Sequence, residues 1–271
     1  MDPRPAEAVY RLQRGSAPLV VGVPHAGTAI APEVAPGLVP RALAVEDADW
    51  HLERLYAFAT ELGASLLVPH YARYVVDLNR PPENTPMYPG RNNTELVPTR
   101  FFSGLPLYRA GALPGAAEVE RRVATYWRPY HDALAAEIER VRALHGHVVV
   151  FDGHSIQAEL PWLFEGRLPD LNLGTAGGTS CAPSLRARLV GVLAANAHFS
   201  HVVDGRFSGG YITRHYGRPH EGVHAVQMEM CWHCYLRPDA PPADAYGEAR
   251  AARAQALLRA LAEAMIAWRP A

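Results

Sequence analysis

Apolar residues along this chain fall into two patterns. Short unbroken apolar rows closed by glycine, proline or histidine mark strands buried on both faces. Residues 18–24, 148–152 and 225–230 read this way, and the first two rows are each followed by a histidine turn, at His25 and His154. Residues 65–68, 74–78 and 202–203 are rich in β-branched and aromatic side chains and read as further strands. Helical spacing appears over 47–62, where Leu52, Leu55, Tyr56, Ala59 and Leu62 fall on one stripe. It returns over 118–144, with a kink expected at Pro129, over 185–197, and in the Ala/Leu-rich closing segment 246–268. Two long stretches, 80–114 and 157–181, carry prolines, glycines and asparagines in place of periodicity. Loops of that length are uncommon unless they serve function. Strands alternating with helices predict one α/β domain over 1–271, with a mostly parallel or mixed central sheet and helices on both faces. In such sheets ligands bind beyond the carboxyl ends of the strands.

Composition narrows the classes. A chain of 271 residues with 49% apolar residues supports a substantial core in one domain. With 26 basic and 27 acidic residues, the net charge of -1 offers no general attraction to nucleic acid or to anionic membranes. Any anion must be held by a local cluster. Three cysteines, Cys181, Cys231 and Cys234, form no disulfide framework, and Cys231-Trp-His-Cys234 lacks the second pair of a zinc ribbon. They read as packed thiols. No apolar run approaches the ~20 residues of a membrane span, and the first residues lack an apolar signal core. A cytoplasmic protein without nucleic-acid, membrane or obligate protein partners is expected.

The chemistry concentrates at the strand ends. Two histidines after buried strands, His25 and His154, at one edge of a sheet form a metal signal, because neutral imidazole is the commonest zinc ligand. Either alone would be an ordinary hydrogen-bonded loop residue. Catalytic zinc takes three protein ligands and leaves one position open, which calls for a carboxylate. Asp47 and Asp49 are the candidates. Asp47 suits a helix cap, whereas Asp49 points with the apolar stripe toward the sheet and needs a partner there. On the strand 225–230, Gln227 and Glu229 share one face and Met228 and Met230 the other. Glu229 is thereby a candidate general base, against the alternative of a solvated carboxylate on an edge strand.

At these residues the sequence resembles the N-formylglutamate amidohydrolase family. The motifs are Pro24-His-Ala-Gly27, Asp47-Ala-Asp-Trp-His51, Tyr74-Val-Val-Asp-Leu-Asn-Arg-Pro-Pro82, Tyr88-Pro-Gly90, Tyr126-Trp-Arg-Pro-Tyr-His131, Asp152-Gly-His-Ser155, Gly209-Gly-Tyr-Ile-Thr-Arg-His-Tyr-Gly217 and Gln227-Met-Glu-Met230. Each is weak alone; eight in order, from about residue 20 to 234, are specific. The resemblance implies a fold like that of the zinc carboxypeptidases. It implies a zinc or other divalent metal on His25, Asp49 and His154, Glu229 as proton shuttle, and Asn79-Arg80 on a substrate carboxylate. It also implies hydrolysis of N-formyl-L-glutamate to formate and glutamate, the last step of a route of histidine degradation. One departure from the carboxypeptidase pattern is that the acidic candidates follow His25 by 22 and 24 residues instead of a few.

A dianionic substrate needs cationic points near the metal. Arginine suits carboxylates through its planar fork. Arg80 opens the first long loop, Arg91 lies within it, and Arg214 follows Gly209 and Gly210, with Tyr211 and His215 as flanking donors. Arg73 ranks behind these. Three rival readings are a metallo-amidohydrolase for another N-acyl amino acid, a non-enzymatic metal- or amino-acid-binding protein, and a serine hydrolase using Ser155 beside His154. The last lacks the G-x-S-x-G elbow.

Overall fold

The computed structural model describes residues 8–87, 89–90 and 92–270. Seven strands form one mixed sheet in the order β1-β3-β2-β4-β7-β5-β6. They are β1 (Tyr10–Gln13), β2 (Leu19–Gly22), β3 (Ser65–Pro69), β4 (Val148–Ile156), β5 (Leu171–Gly174), β6 (His201–Val203) and β7 (Val223–Cys231). The four central strands β3, β2, β4 and β7 run parallel; β1 pairs antiparallel with β3, and β5 antiparallel with β7. The α/β single-sheet expectation is met in its mixed form.

Burial on both faces explains the unbroken apolar rows. Leu19 and Val21 of β2 enter one core with Val149, Phe151, Val226 and Met228. Helices α1 (Leu52–Leu55), α2 (Phe58–Glu61), α5 (Pro183–Ala194) and α7 (Glu248–Ala267) cover that face. Val20, Val148, Val150, Val223 and Ala225 enter the other core, beneath α4 (Arg128–His145) and α6 (Tyr211–Tyr216). Alternation along each strand thus feeds two apolar layers.

Several local expectations are corrected. The segment 47–62 is not one helix. Residues 47–50 form an irregular turn, and His51 sits at φ 61°, in the left-handed region. Tertiary partners outcompete the helix there: the Asp49 amide donates to His25 O, and the Asp47 carboxylate accepts from Tyr74 Oη and Phe102 N. Asp47 therefore caps no helix. Residues 74–78 form turns instead of a strand, because the Val75 amide closes onto Ala72 O and the Asp77 amide donates to Leu96 O. At Pro129 the helix is not broken. Helix α3 (Ala116–Arg122) runs through a π turn at Val123–Trp127 into α4, with Pro129 in its first turn. A wider turn upstream absorbs the missing amide donor. Strand β5 lies inside the stretch read as irregular. The three cysteines are free and buried, as their reading as packed thiols requires.

Candidate functional site

Three parallel strands deliver the site. His25 follows β2, His154 lies on β4 and Glu229 on β7, and His154 and Glu229 are register partners across the β4–β7 ladder. Asp49 is brought in from the irregular turn, where its Oδ2 accepts from Ser155 N at 3.0 Å. All four are buried and line one cavity with Arg73, Asn79, Arg80, Phe102, Arg206 and Gln227. The polar face read on 225–230 is the cavity face, while Val226, Met228 and Met230 pack into the opposite core.

Both imidazoles turn Nε2 outward and Nδ1 inward. His25 Nε2 is 2.7 Å from Asp77 Oδ1, and Asp77 is held in turn by Arg73 Nη2 at 2.6 Å. A carboxylate accepts only, so neutral His25 keeps its proton on Nε2 and turns the Nδ1 lone pair inward, where Arg73 Nη1 stands 3.4 Å away. His154 Nε2 lies 3.0 Å from Asp152 Oδ1 and 2.9 Å from Asn79 Nδ2. Inside, His25 Nδ1 and His154 Nδ1 are 3.1 Å apart, and Asp49 Oδ2 lies 3.8 Å from the first and 3.4 Å from the second.

That triangle fits a metal. Four tetrahedral donors at zinc bond lengths of ~2.0–2.1 Å stand about 3.3 Å from one another. The chemistry fits as well: two imidazole nitrogens and a carboxylate oxygen, each backed by a second hydrogen-bonding group, form a ligand set that a cation relieves. A second close group, Asp170, His233 and Cys234, fits less well because its donors are already used. Asp170 binds His233 Nε2 at 2.6 Å and Ser200 N at 2.8 Å, and the Cys234 thiol donates to Asp170 O.

Charge within the site is strongly perturbed. Burial, with Arg73 nearby, lowers the pKa of His25, in keeping with a neutral ring. Burial opposes protonation of His154, but Asp152, Asp49 and Glu229 outweigh it and raise its pKa well above the ordinary value. Burial pushes Glu229 up to about 8, with Asp49 adding to the effect and His154 opposing it. Asp77 resists its own burial: His25 and Arg73 hold it well below the usual carboxylate range.

Of the residues read from sequence, His25, Asp49, His154, Glu229, Asn79 and Arg80 meet at this cavity. Asn79 faces inward as a brace. Its Oδ1 accepts from Ile212 N, its Nδ2 touches His154 and Asp152, and a Cβ at Gly210 would lie 2.4 Å from that Nδ2. Arg80 donates to Thr94 O, Thr94 Oγ1 and Asn79 O. Tyr211, Arg214 and His215 are absent from the cavity's described lining. Tyr211 and His215 stack on each other at 4.7 Å beside Trp127 and His131, and Arg214 donates to Gly209 O and Ser208 Oγ. Helix α6 turns them away, since Gly210 and Asn79 occupy the side facing the metal triangle. Arg91 lies outside the described residues. Ser155 Oγ pairs with Tyr235 Oη at 2.7 Å and points away from its neighbour His154, which removes the geometry of a serine nucleophile. Sequence reasoning passed over Asp77, Asp152 and Arg206. The first two stand inside the quoted motifs, two residues before Asn79 and His154; Asp152 shares β4 with His154, and strand alternation returns its side chain to the same face.

The comparisons agree with this architecture. A family model described as N-formylglutamate amidohydrolase matches residues 17–236. The chain is 49% identical over 262 residues to N-formylglutamate deformylase of Pseudomonas aeruginosa, covering 97% of each chain. It is 43% identical to N-formylglutamate deformylase of Pseudomonas putida, again over 97% of both. A crystal structure of N-formylglutamate amidohydrolase from Ralstonia eutropha superposes with a TM-score of 0.79 at 24% identity, covering 96% of this chain and 97% of that one. A crystal structure of an Agrobacterium tumefaciens protein superposes at 0.69 with 17% identity, covering 95% and 93%. At those identities the two structures speak for the fold. By family match and by full-length identity, the chain belongs to the N-formylglutamate amidohydrolase family.

Proposed function

We propose that this protein hydrolyses the formyl amide of N-formyl-L-glutamate to formate and L-glutamate, in the cytoplasm, as the closing step of histidine degradation. The observation that carries the reading is the buried triangle of His25 Nδ1, His154 Nδ1 and Asp49 Oδ2 with Glu229 one strand away. His25, Asp49 and His154 would hold a divalent ion, zinc by donor set. When bound, such an ion supplies Lewis acidity to the formyl oxygen and lowers the pKa of water.

The remaining steps belong to side chains. Glu229 takes the proton of the attacking water and delivers it to the departing glutamate nitrogen. Its raised pKa of about 8 suits a group that must both accept and release a proton near neutrality. Gln227 braces it, with Nε2 3.5 Å from Glu229 Oε2 while Gly210 N holds Gln227 Oε1. Asp77 fixes the His25 imidazole by its hydrogen bond, while His154 Nε2 meets Asn79 Nδ2 and has the Asp152 carboxylate 3.0 Å away as its charge partner. Arg80 offers a guanidinium to a substrate carboxylate. The reading requires no nucleic acid, membrane or protein partner.

The test is a substrate panel with formate and free amine quantified separately. N-Formyl-L-glutamate should give both in equal amounts and outpace N-acetyl-L-glutamate and N-formyl-L-aspartate. Faster cleavage of another N-acyl amino acid would transfer the assignment to the wider amidohydrolase class.

A further inference from the structure

No residue of the motif Tyr126-Trp-Arg-Pro-Tyr-His131 stands in the cavity's described lining, yet the motif holds the chain that supplies two lining residues, Asn79 and Arg80. Leu78, Asn79 and Arg80 lie in irregular chain, so no strand ladder serves their carbonyls and donors must come from elsewhere. All three carbonyls accept from one aromatic group. Leu78 O lies 2.9 Å from His131 Nε2, Asn79 O lies 3.3 Å from the Tyr211 amide, and Arg80 O accepts from Trp127 Nε1 at 3.0 Å. A carbonyl only accepts, so His131 carries a proton on Nε2.

The three donors pack on one another. Trp127 stacks on His131 with ring centroids 3.8 Å apart, and the Tyr211 ring stands 5.5 Å from the first and 5.3 Å from the second. Trp127 and His131 are four residues apart, the spacing that places two side chains on one helical face. The π turn Val123–Trp127 directs that face. Such a turn takes up one extra residue and rotates the helix beyond it by about 100° relative to the helix before it, and turns of this kind are frequent beside functional sites.

We infer that Trp127 is a positioning residue for substrate binding: by holding Arg80 O it fixes the main chain from which the Arg80 guanidinium meets a substrate carboxylate. The inference rests on the proposed formylglutamate reading, which gives Arg80 that carboxylate. A planar guanidinium fork matches a carboxylate only within a narrow range of angles, so slack in its main chain weakens the match. The formyl bond is broken elsewhere, at the triangle of His25, Asp49 and His154. Slack at Arg80 therefore costs binding in the ground state and the transition state alike, which raises KM and leaves kcat in place.

The experiment is steady-state hydrolysis of N-formyl-L-glutamate by metal-loaded wild type and Trp127→Phe, with rates expressed per metal-loaded chain and folding checked by circular dichroism. Phenylalanine keeps an aromatic ring against His131 and removes the N–H. One neutral hydrogen bond corresponds to about 2- to 12-fold, so KM should rise by that factor while kcat stays within about twofold. A merely structural role would lower the melting temperature and the yield of folded protein without moving KM. A folded Trp127→Phe with the wild-type KM would therefore overturn the inference. Should that variant not fold, benzothienylalanine at position 127, which keeps the bicyclic shape and lacks the N–H, decides by the same criterion. A wild type that leaves N-formyl-L-glutamate intact would instead remove the proposed function, and this inference with it.

Discussion

His154 and Glu229 face each other as register partners on β4 and β7, so the sheet itself sets the separation between candidate ligand and candidate base. Neighbouring strands lie about 4.8 Å apart, close enough for a carboxylate to reach a water held at the histidine's inner nitrogen. Glu229→Gln keeps the side chain's shape and its contact with Gln227 while removing the proton acceptor. Metal content should stay at the wild-type level, and kcat should fall by about 10² to 10⁴, the usual weight of general acid–base catalysis. Steady-state kinetics beside metal analysis of the same sample decide the point, and near-normal turnover would exclude Glu229 as the shuttle.

Asp77 works through His25. Its Oδ1 fixes the Nε2–H tautomer, and its Oδ2 neutralises Arg73. Asp77→Asn should weaken metal affinity about 10- to 100-fold, the usual effect of losing a partner behind a ligand. Competition with a chelator of known affinity measures it. Unchanged affinity would reduce Asp77 to a counter-ion for Arg73.

Two of the arginines named from sequence, Arg80 and Arg214, separate in space, and they should separate in kinetics. Arg80 lines the cavity, and Arg80→Met should cost about 10- to 200-fold in kcat/KM for N-formyl-L-glutamate. Arg214 donates to Gly209 O and Ser208 Oγ beyond the described lining, and Arg214→Ala should stay within about threefold. A larger loss at Arg214 than at Arg80 would reverse their placement.

Much of this arrangement is readable from sequence because buried parallel strands advertise themselves. The rows ending at His25 and His154 and the polar pair Gln227 and Glu229 name the strands and the face that meets the cavity. What escapes reading is set by tertiary hydrogen bonds. Asp49 reaches the triangle from an irregular turn tied to His25 O and Ser155 N, so the helical-face argument favoured that residue for a reason the fold does not use. Tyr211, Arg214 and His215 share a motif with Gly210, yet α6 rotates them away from it, and no spacing rule predicts the phase of a short helix that opens on two glycines. Arg206 stands outside every motif and lines the cavity, with Nη2 contacts to Asn92 O and Leu163 O among its partners.

Acid should destabilise the fold through His131. Burial, with His215 nearby, lowers its pKa to about 3, and the ring is wedged between Leu78 O and Tyr216 Oη. The folded pKa lies below the unfolded value of 6.5, so the neutral ring's contribution is complete above about pH 6.5. It is lost as pH falls from there toward 3, at about 1.4 kcal/mol per pH unit. Urea denaturation at pH 7 and pH 5 should show wild type losing about 2 kcal/mol more than His131→Gln over that interval. Parallel losses in the two proteins would place the acid sensitivity elsewhere.

The central claim is that His25, Asp49 and His154 hold the ion that hydrolysis of N-formyl-L-glutamate requires. Its most direct measurement is metal content by mass spectrometry alongside formate release, for chelated and zinc-restored wild type and for His25→Ala, Asp49→Ala, His154→Ala and Asp47→Ala. Wild type should carry about one metal per chain, as a single three-ligand site requires, and should lose formate release on chelation and regain it with zinc. The first three variants should lack both metal and activity, whereas Asp47→Ala should keep its metal, since Asp47 is committed to Tyr74 and Phe102. Full metal occupancy in His154→Ala, or undiminished formate release from the chelated protein, would contradict the account.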